Sequence, residues 1–576
     1  MIRPPACSFS VVVPRPVEPA DNRRGATRKA ALRSRLIAGV CAAAILLPAG
    51  LPPAWAQNQL PALGDPASED FSLTTERKLG DEIMREIRAD PDYVDDPVLL
   101  EYLQSVWQPL VAQARLRGNI TADIDERMAW EPFLVRDSSV NAFALPGGFV
   151  GVHLGMMAMT ATRDELASVL AHEMSHVTQR HIARSIANSK RQSLMGLAAL
   201  VVGVLAASRA GNSSGNAAAA AVTGSQALVA QGQLNFSRDM EREADRVGFA
   251  VMSGAGFAPG GMAAMFEKLD HSSRLNDSGG FPYLRSHPLT SERIGEARAR
   301  LGTAAPVAPV SMLEHTAAQA RSRVLMDARF DALRRWQAVD GDAGSTTVAD
   351  KLRGAYESGL ASTLLRDWAR ADASIALALG LVRGSPRGDA RAERAVVLLQ
   401  AQSLLARGDA AKAAAVLQPY AAEGSRPVLL LENQVVLAAT PVNVPGNASN
   451  NAPSNVPSNV PSNATSNATP DNLRLKQSAS DLQTWVALHP LDSLAWTALS
   501  QTNTRLGQPL RAIRADAESR VALGDLNGAA DRLRAGQQRA RSGGSVDFID
   551  VSVIDARLRD VEVKRKQRAV DEKSFR

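Results

Sequence analysis

In "VLAHEMSHVTQRHIARS", residues 169–185, His172 and His176 stand four residues apart. This spacing constrains the fold more than any other feature of the chain. On an α-helix, positions four apart differ in direction by about 40°. Both imidazoles then face one way and can share one ion. Just ahead, Thr162-Arg163-Asp164-Glu165 has the T-x-x-E form of a capping box, which starts the required helix. Glu173 lies beside the histidines, placed to reach a metal-bound water without being a ligand. By the same count along the helix, His181 turns to the opposite face and reads as structural.

A catalytic zinc takes three protein ligands and keeps one position open, so a second element has to meet this face. "NFSRDMEREADRVGFAVM", residues 235–252, reads as a helix with acids at 239, 241, 243 and 245. The 241/245 pair shares one face and the 239/243 pair another. Composition does not choose between them, and an acid-rich helix is also commonly a solvated face.

Most of the chain lies elsewhere. With 576 residues it exceeds one core, and two or more domains are expected. Aromatic residues are scarce at 4% and alanine is abundant, which favours helices packed through small side chains. The formal net charge of +6 arises within residues 1–56, which hold eight basic and two acidic side chains. The remainder has 57 of each and is formally neutral, so no nucleic-acid footprint is present. Residues 1–56 read as an export signal: a basic stretch, the apolar "LIAGVCAAAILLPAGLPPAWA", and an A-x-A cleavage pattern ending at Ala56. A membrane anchor is the alternative, but prolines at 48, 52 and 53 interrupt the run. Cys7 and Cys41 both fall in this segment, leaving the exported chain without disulfides.

Residues 57–130 read as mainly helical. Residues 131–157, "EPFLVRDSSVNAFALPGGFVGVHLGMM", alternate apolar and polar around Pro146-Gly147-Gly148 and read as strands joined by a turn. The apolar run 194–207 is too short for an easy membrane span. With its flank to about 230 it suggests a helical hairpin, either a flap on the catalytic domain or a peripheral membrane contact. From about 311 the texture is helix, glycine turn, helix, as in tetratricopeptide repeats. "LLARGDAAKAAAVLQPY", "AWTALSQTNTRLGQPLRAIRADA" and "LGDLNGAADRL" carry that rhythm. The Asn/Pro/Ser-rich tract 441–472 has no apolar periodicity and reads as a disordered insert.

Taken together, HEMSH and the later Glu241-Arg242-Glu243-Ala244-Asp245 resemble the zinc metallopeptidase family that includes the bacterial membrane protease HtpX and the CAAX prenyl endopeptidases. "VNAFALPGGFVGVHLGMM", Ser286-His287-Pro288 with Arg293-Ile294, and "LPALGDPAS" fit the same family. The resemblance spans roughly residues 60–300. It implies a mainly α protein: a zincin-like α+β metalloprotease domain with a small β-sheet at 57–310, then a tetratricopeptide-like helical repeat domain at 311–576. It implies one Zn²⁺ per chain on His172, His176 and Glu241, with Asp245 holding a ligating histidine and Glu173 as the general base. His287 has three readings. It stabilises the tetrahedral oxyanion, it fills the open zinc position and keeps the enzyme latent, or it is a turn histidine before proline. The "NAFALPGG" hairpin either holds an extended substrate by strand addition or is simply core.

Export together with a repeat array narrows the resemblance to periplasmic members. The expected function is then a periplasmic endopeptidase for unfolded or misassembled outer-membrane β-barrel proteins, docked to the barrel assembly machinery through its repeats. The alternative is a non-proteolytic chaperone or scaffold with a structural zinc.

Overall fold

The structure, a computed structural model, describes residues 71–188, 237–275, 281–302, 312–341, 346–385, 389–440, 470–542 and 547–575. The expected export signal, the apolar run with its flank, and the 310/311 boundary lie outside these residues. So does the expected insert at 441–472, except that residues 470–472 open a helix and are not part of a disordered tract.

The first part of the chain runs α1 (Leu73–Ala89), β1 (Tyr93–Val94), α2 (Pro97–Leu116), α3 (Ala122–Arg127), β2 (Glu131–Val135), β3 (Ala142–Leu145) and β4 (Phe149–His153). It continues through α4 (Leu154–Met159), α5 (Arg163–Thr178), α6 (His181–Asn188), α7 (Arg238–Gly254), α8 (Gly260–Leu275), α9 (Pro282–Ser286) and α10 (Ser291–Arg300). The four strands form one mixed sheet in the order β1-β2-β4-β3. β2 and β4 are parallel, while β1 and β3 flank them antiparallel. β3 is therefore an edge strand. Gly147 and Gly148 make the turn into β4 with φ of 81° and 85°, which only glycine adopts freely.

The strands expected over 131–157 stop at His153, because Leu154–Met159 is helical. Unbranched methionine and alanine favour the helix there. Gly155 lets its start press against the carbonyls of Ser138 and Ser139, where a Cβ would sit 2.4 Å from each oxygen.

α5 is buried from Glu165 to Thr178. Its start is capped as expected at Thr162, whose hydroxyl accepts from the Glu165 N–H. The Glu165 carboxylate reaches back one residue further, to the Ala161 N–H at 2.7 Å. α7 lies directly against α5 because its contact face is small. Ala244 is fully buried, and a Cβ on Gly248 would fall 3.0 Å from the Ala171 backbone. One hydrophobic cluster joins this helix pair to the sheet and to Leu103, Trp107 and Leu110 of α2.

The second part is helical throughout its described residues. It runs α11 (Leu313–Met326), α12 (Phe330–Gln337), α13 (Val348–Leu364), α14 (Trp368–Arg383), α15 (Ala390–Ala406), α16 (Ala410–Leu417) and α17 (Arg426–Ala439). Then come α18 (Pro470–Leu488), α19 (Ser493–Arg505), α20 (Pro509–Ala522), α21 (Leu526–Ser542) and α22 (Phe548–Phe575). Left-handed glycines at 408, 507 and 524 end α15, α19 and α20. The array is held by several small apolar clusters along its length rather than by one core.

α11 belongs to both parts. His315 Nε2 donates to the Thr160 carbonyl at 2.8 Å, and its Nδ1 accepts from the Tyr102 hydroxyl at 2.5 Å. The acidic start of α2 is clasped by arginines of the array: Arg426 holds Asp95, Arg394 holds Glu101, and Arg321 holds Asp96. Arg321 is 3% exposed and grips Asp96 through two bonds of 2.7 and 2.8 Å. Burial raises the Asp96 carboxyl, but Arg321 and the Leu99 and Val98 N–H groups more than offset it and hold it below the usual carboxylate range.

Removing Arg321 strands a buried carboxylate, which costs about 3–5 kcal/mol. Arg321→Met is expected to lose at least the lower figure in urea unfolding at pH 7. A carboxyl lowered by folding stabilises above its unfolded pKa, and that contribution is lost as pH falls through the folded value. The gap between wild type and variant should therefore narrow below about pH 4. A gap unchanged down to pH 2.5 would refute the ion-pair account.

Candidate metal centre

α5 presents His172 and His176 on one face, and α7 crosses that face with Glu241 and Asp245, one turn apart. The spacing 241, 245, 248 sets both acids and the tight Gly248 contact on one side of α7. The 239/243 pair points elsewhere: Asp239 is exposed and pairs with Arg242.

His172 Nε2 and His176 Nε2 approach to 3.0 Å, and the Glu241 carboxylate lies 3.4 Å from the first and 3.5 Å from the second. His287, arriving just after α9, brings Nδ1 to 3.0 Å from Glu241 and 3.3 Å from His172. The four residues are buried and their ligand atoms all lie within 4.8 Å of one another. Ligands about 2.05 Å from a tetrahedral zinc stand about 3.3 Å apart, so these separations fit one ion. Charge agrees with geometry. With neutral histidines, the buried carboxylates Glu173, Glu241 and Asp245 face one buried guanidinium, Arg293. A dication would cancel that excess.

The donors are held from behind. Asp245 Oδ1 is 2.9 Å from His172 Nδ1, and Arg293 grips the same carboxylate through bonds of 2.7 and 2.8 Å. Arg293 Nη1 also meets Glu241 Oε2 at 2.8 Å and donates to the Pro288 carbonyl at 2.9 Å. Burial opposes ionisation of Asp245, but hydrogen bonds from His172 and Arg293 hold its carboxyl below the usual range. His172 is raised to about 10: burial works against its charge, and Asp245 and Glu241 overcome it. A carboxylate pair that holds a proton so firmly also favours a cation in its place. Burial, with the neighbouring His172 charge, keeps His176 well below the ordinary imidazole value, in the neutral form a metal needs.

His181 does not face away. It stacks behind His176, Nδ1 to Nδ1 at 2.9 Å, and its Nε2 meets Glu243 at 3.1 Å. The helical count fails because α5 ends at Thr178 and Arg180, at φ 52°, redirects the chain. Glu243, the competing candidate for third ligand, thus stands behind a histidine rather than inside the cluster. Arg293 was absent from the expected site residues. Its signal in the sequence is the Arg293-Ile294 pair that follows Ser286-His287-Pro288 in the family resemblance, which gives it no role.

Glu173 is fully buried, and its Oε2 accepts from the Ala144 N–H of β3 at 3.0 Å. Its Oε1 lies 3.5 Å from His287 Nε2. Burial pushes the Glu173 carboxyl up, against the His287 and His172 charges. This suits a group that takes and returns a proton. The hairpin is core and edge together: Ala142 and Leu145 are buried, yet Ala144 turns its N–H outward from the sheet toward α5. Further along, the Tyr283 N–H of α9 caps the Val140 carbonyl at 3.3 Å.

Two histidines of α5, Glu241 of α7 and His287 after α9 surround one point, with Glu173 beside them, and this group could hold one metal ion. Residues 101–301 match the model of Peptidase family M48. The chain is 35% identical over 313 residues to a putative beta-barrel assembly-enhancing protease of Vibrio cholerae, covering 54% of this chain and 59% of the relative. It is 32% identical over 293 residues to the beta-barrel assembly-enhancing protease of Escherichia coli K12, covering 50% and 57%. It is 30% identical over 232 residues to the mitochondrial metalloendopeptidase OMA1 of Schizosaccharomyces pombe, covering 39% and 60%. The chain thus spans less than two thirds of the length of these relatives. The resemblance drawn from the motifs stands. No helix among the described residues is long and apolar enough to cross a membrane.

Zinc analysis of the purified chain separates the two acid pairs. Glu241→Gln is expected to lose most of the bound zinc. Glu243→Gln should keep near-stoichiometric metal while binding it about 10–100-fold more weakly, as loss of a group behind a ligand does. Metal loss in Glu243→Gln alone would contradict this ligand assignment.

Proposed function

We propose that the chain is an exported, zinc-dependent endopeptidase. The observation that carries this reading is Glu173: a buried carboxylate, tethered by a strand N–H, beside a complete ligand set. A purely structural zinc has no use for such a base. His172, His176 and Glu241 would hold the ion, which would supply Lewis acidity for the scissile carbonyl and acidify water. Glu173 takes the proton from the attacking water and returns it to the leaving amine. Asp245 and Arg293 fix the His172 ring and the Glu241 carboxylate, and His181 with Glu243 fixes His176. β3, as an edge strand, would align an extended substrate by strand addition.

His287 lies at ligand distance from the other three and near Glu173. This favours the reading in which it fills the open position and keeps the resting chain latent. The substrates proposed are unfolded or misassembled outer-membrane β-barrel proteins in the periplasm. Their unpaired strand edges suit a strand-adding site. The relatives named for β-barrel assembly support this substrate class, and the tetratricopeptide-like array is its docking platform, for clients or for the assembly machinery.

Glu173→Gln is expected to retain zinc and to cut cleavage of an unfolded β-barrel protein by about 10²–10⁴-fold. Undiminished proteolysis in this variant would refute the mechanism. His287→Ala is expected to raise the rate on a short unstructured peptide several-fold. A fall would reassign His287 to the oxyanion, and no change would make it a turn residue.

A further inference from the structure

The distal end of the array contains a groove of about 490 Å³ between α18, α19, α20 and α22. Its apolar surface comes from Trp496 and Leu499 of α19 and from Ile549 of α22, which is 72% exposed. Its polar side chains include Lys476 on α18, Asn503 on α19, and Arg511 and Arg514 on α20. Arg511 is engaged by Asp550 at 3.1 Å. The others are not. Among the described residues, Lys476, Arg514 and the Asn503 carboxamide have no hydrogen-bond or ion-pair partner. The Arg514 Nε is shielded from solvent and still bonds to nothing. Asn503 is only 5% exposed.

Several other arginines of the array are paired: Arg321 with Asp96, Arg394 with Glu101, Arg426 with Asp492, and Arg557 with Glu518. Shielding polar donors without partners costs free energy that folding does not recover. The Arg514 Nε is such a donor, and it shares the groove with the unpartnered Lys476 and Asn503 side chains.

We propose that this groove binds an acidic peptide segment in extended conformation. The two unpaired cations sit on different helices with apolar surface between them, so the ligand carries spaced negative charges on an apolar-bearing chain. The Arg514 guanidinium is a planar fork that matches a carboxylate, and Lys476 supplies a second positive point. The Asn503 carboxamide offers both a donor and an acceptor, the complement of a peptide group. Apolar side chains between the acids lie on Trp496, Leu499 and Ile549. The proposal adds a ligand class to the docking role of the array and rests on that role, not on the hydrolytic chemistry.

The test uses the full chain carrying Glu173→Gln, so that the probe survives. The probe is a fluorescent dodecapeptide alternating Glu and Val, blocked at both ends, and its counterpart with Gln for Glu. Fluorescence polarisation is expected to show the Glu peptide binding at least about tenfold more tightly, with affinity falling as salt rises. Arg514→Gln and Lys476→Gln should each remove most of that preference. Neither side chain has a partner in the fold, so both variants should melt as the parent does. Arg117→Gln, an equal charge loss on exposed surface of the first part of the chain, should leave binding unchanged. Equal binding of the two peptides, or Glu-peptide binding indifferent to Arg514→Gln, overturns the proposal. Capture of a urea-unfolded β-barrel protein by the same chain reads the docking role itself. Capture without peptide preference overturns the groove and leaves docking standing. Peptide preference without capture upholds the groove and removes the β-barrel client.

Discussion

The close approach of α7 to α5 is the contact on which the centre of the molecule depends. At Gly248 there is no room for a methyl group, since a Cβ there would crowd the Ala171 backbone at 3.0 Å. That contact sits one helical turn from Asp245 and two from Glu241. A wider separation would draw both carboxylates back from the histidine face together, because a helix moves as a rod. Two elements far apart in sequence thus meet through small side chains, and a carboxylate is a short enough lever to reach an imidazole only at that distance.

The same approach confines charge where charge is costly. His172, Glu173, His176, Glu241, Asp245, His287 and Arg293 are each at most 3% exposed. Ionised groups tolerate such burial only when paired and hydrogen-bonded. The pairing is reciprocal: Arg293 bonds Asp245 and pairs with Glu241, Asp245 pairs with His172, and Glu243 steadies His181 behind His176. His172, His176 and Glu241 would each turn one atom to an ion, with another beside a protein group. The candidate ligand atoms lie within 4.8 Å of one another, a spacing that fits one ion.

Much of this was legible in sequence, and the exceptions have local causes. HEMSH required a helix, Thr162 and Glu165 marked its start, and Glu241 with Asp245 had to share a face. These are statements within one regular element, where periodicity is reliable. Periodicity does not place His181, because α5 ends at Thr178 and Arg180, at φ 52°, redirects the chain. Alternation alone does not distinguish Leu154–Met159 from a strand, and helix propensity decides for the helix. Arg293 belongs to a motif of the family resemblance but carries no legible role, because an arginine near a helix start is commonly a surface residue. Only the tertiary contact with α7 reveals that it is buried. The clasp of Asp95 by Arg426 spans 331 residues, and no local pattern encodes a contact of that separation.

A single short element guards two features that would otherwise be independent. α9 caps the Val140 carbonyl through the Tyr283 N–H, which closes one end of the β3 edge. The next residue after α9 is His287, in the ligand cluster, and its ring lies 4.7 Å from that of Tyr283. Pro288 is tied in turn to Arg293, which bonds Glu241 and Asp245. A chain lying along β3 past Ala142 meets α9 before it can extend further. Shifting α9 would free strand edge and fourth ligand position in one movement, while Arg293 keeps its hold on the two carboxylates of α7. The ligand set would persist while the position opposite Glu173 opens. On the proposed reading, pairing along the strand edge would precede opening of that position.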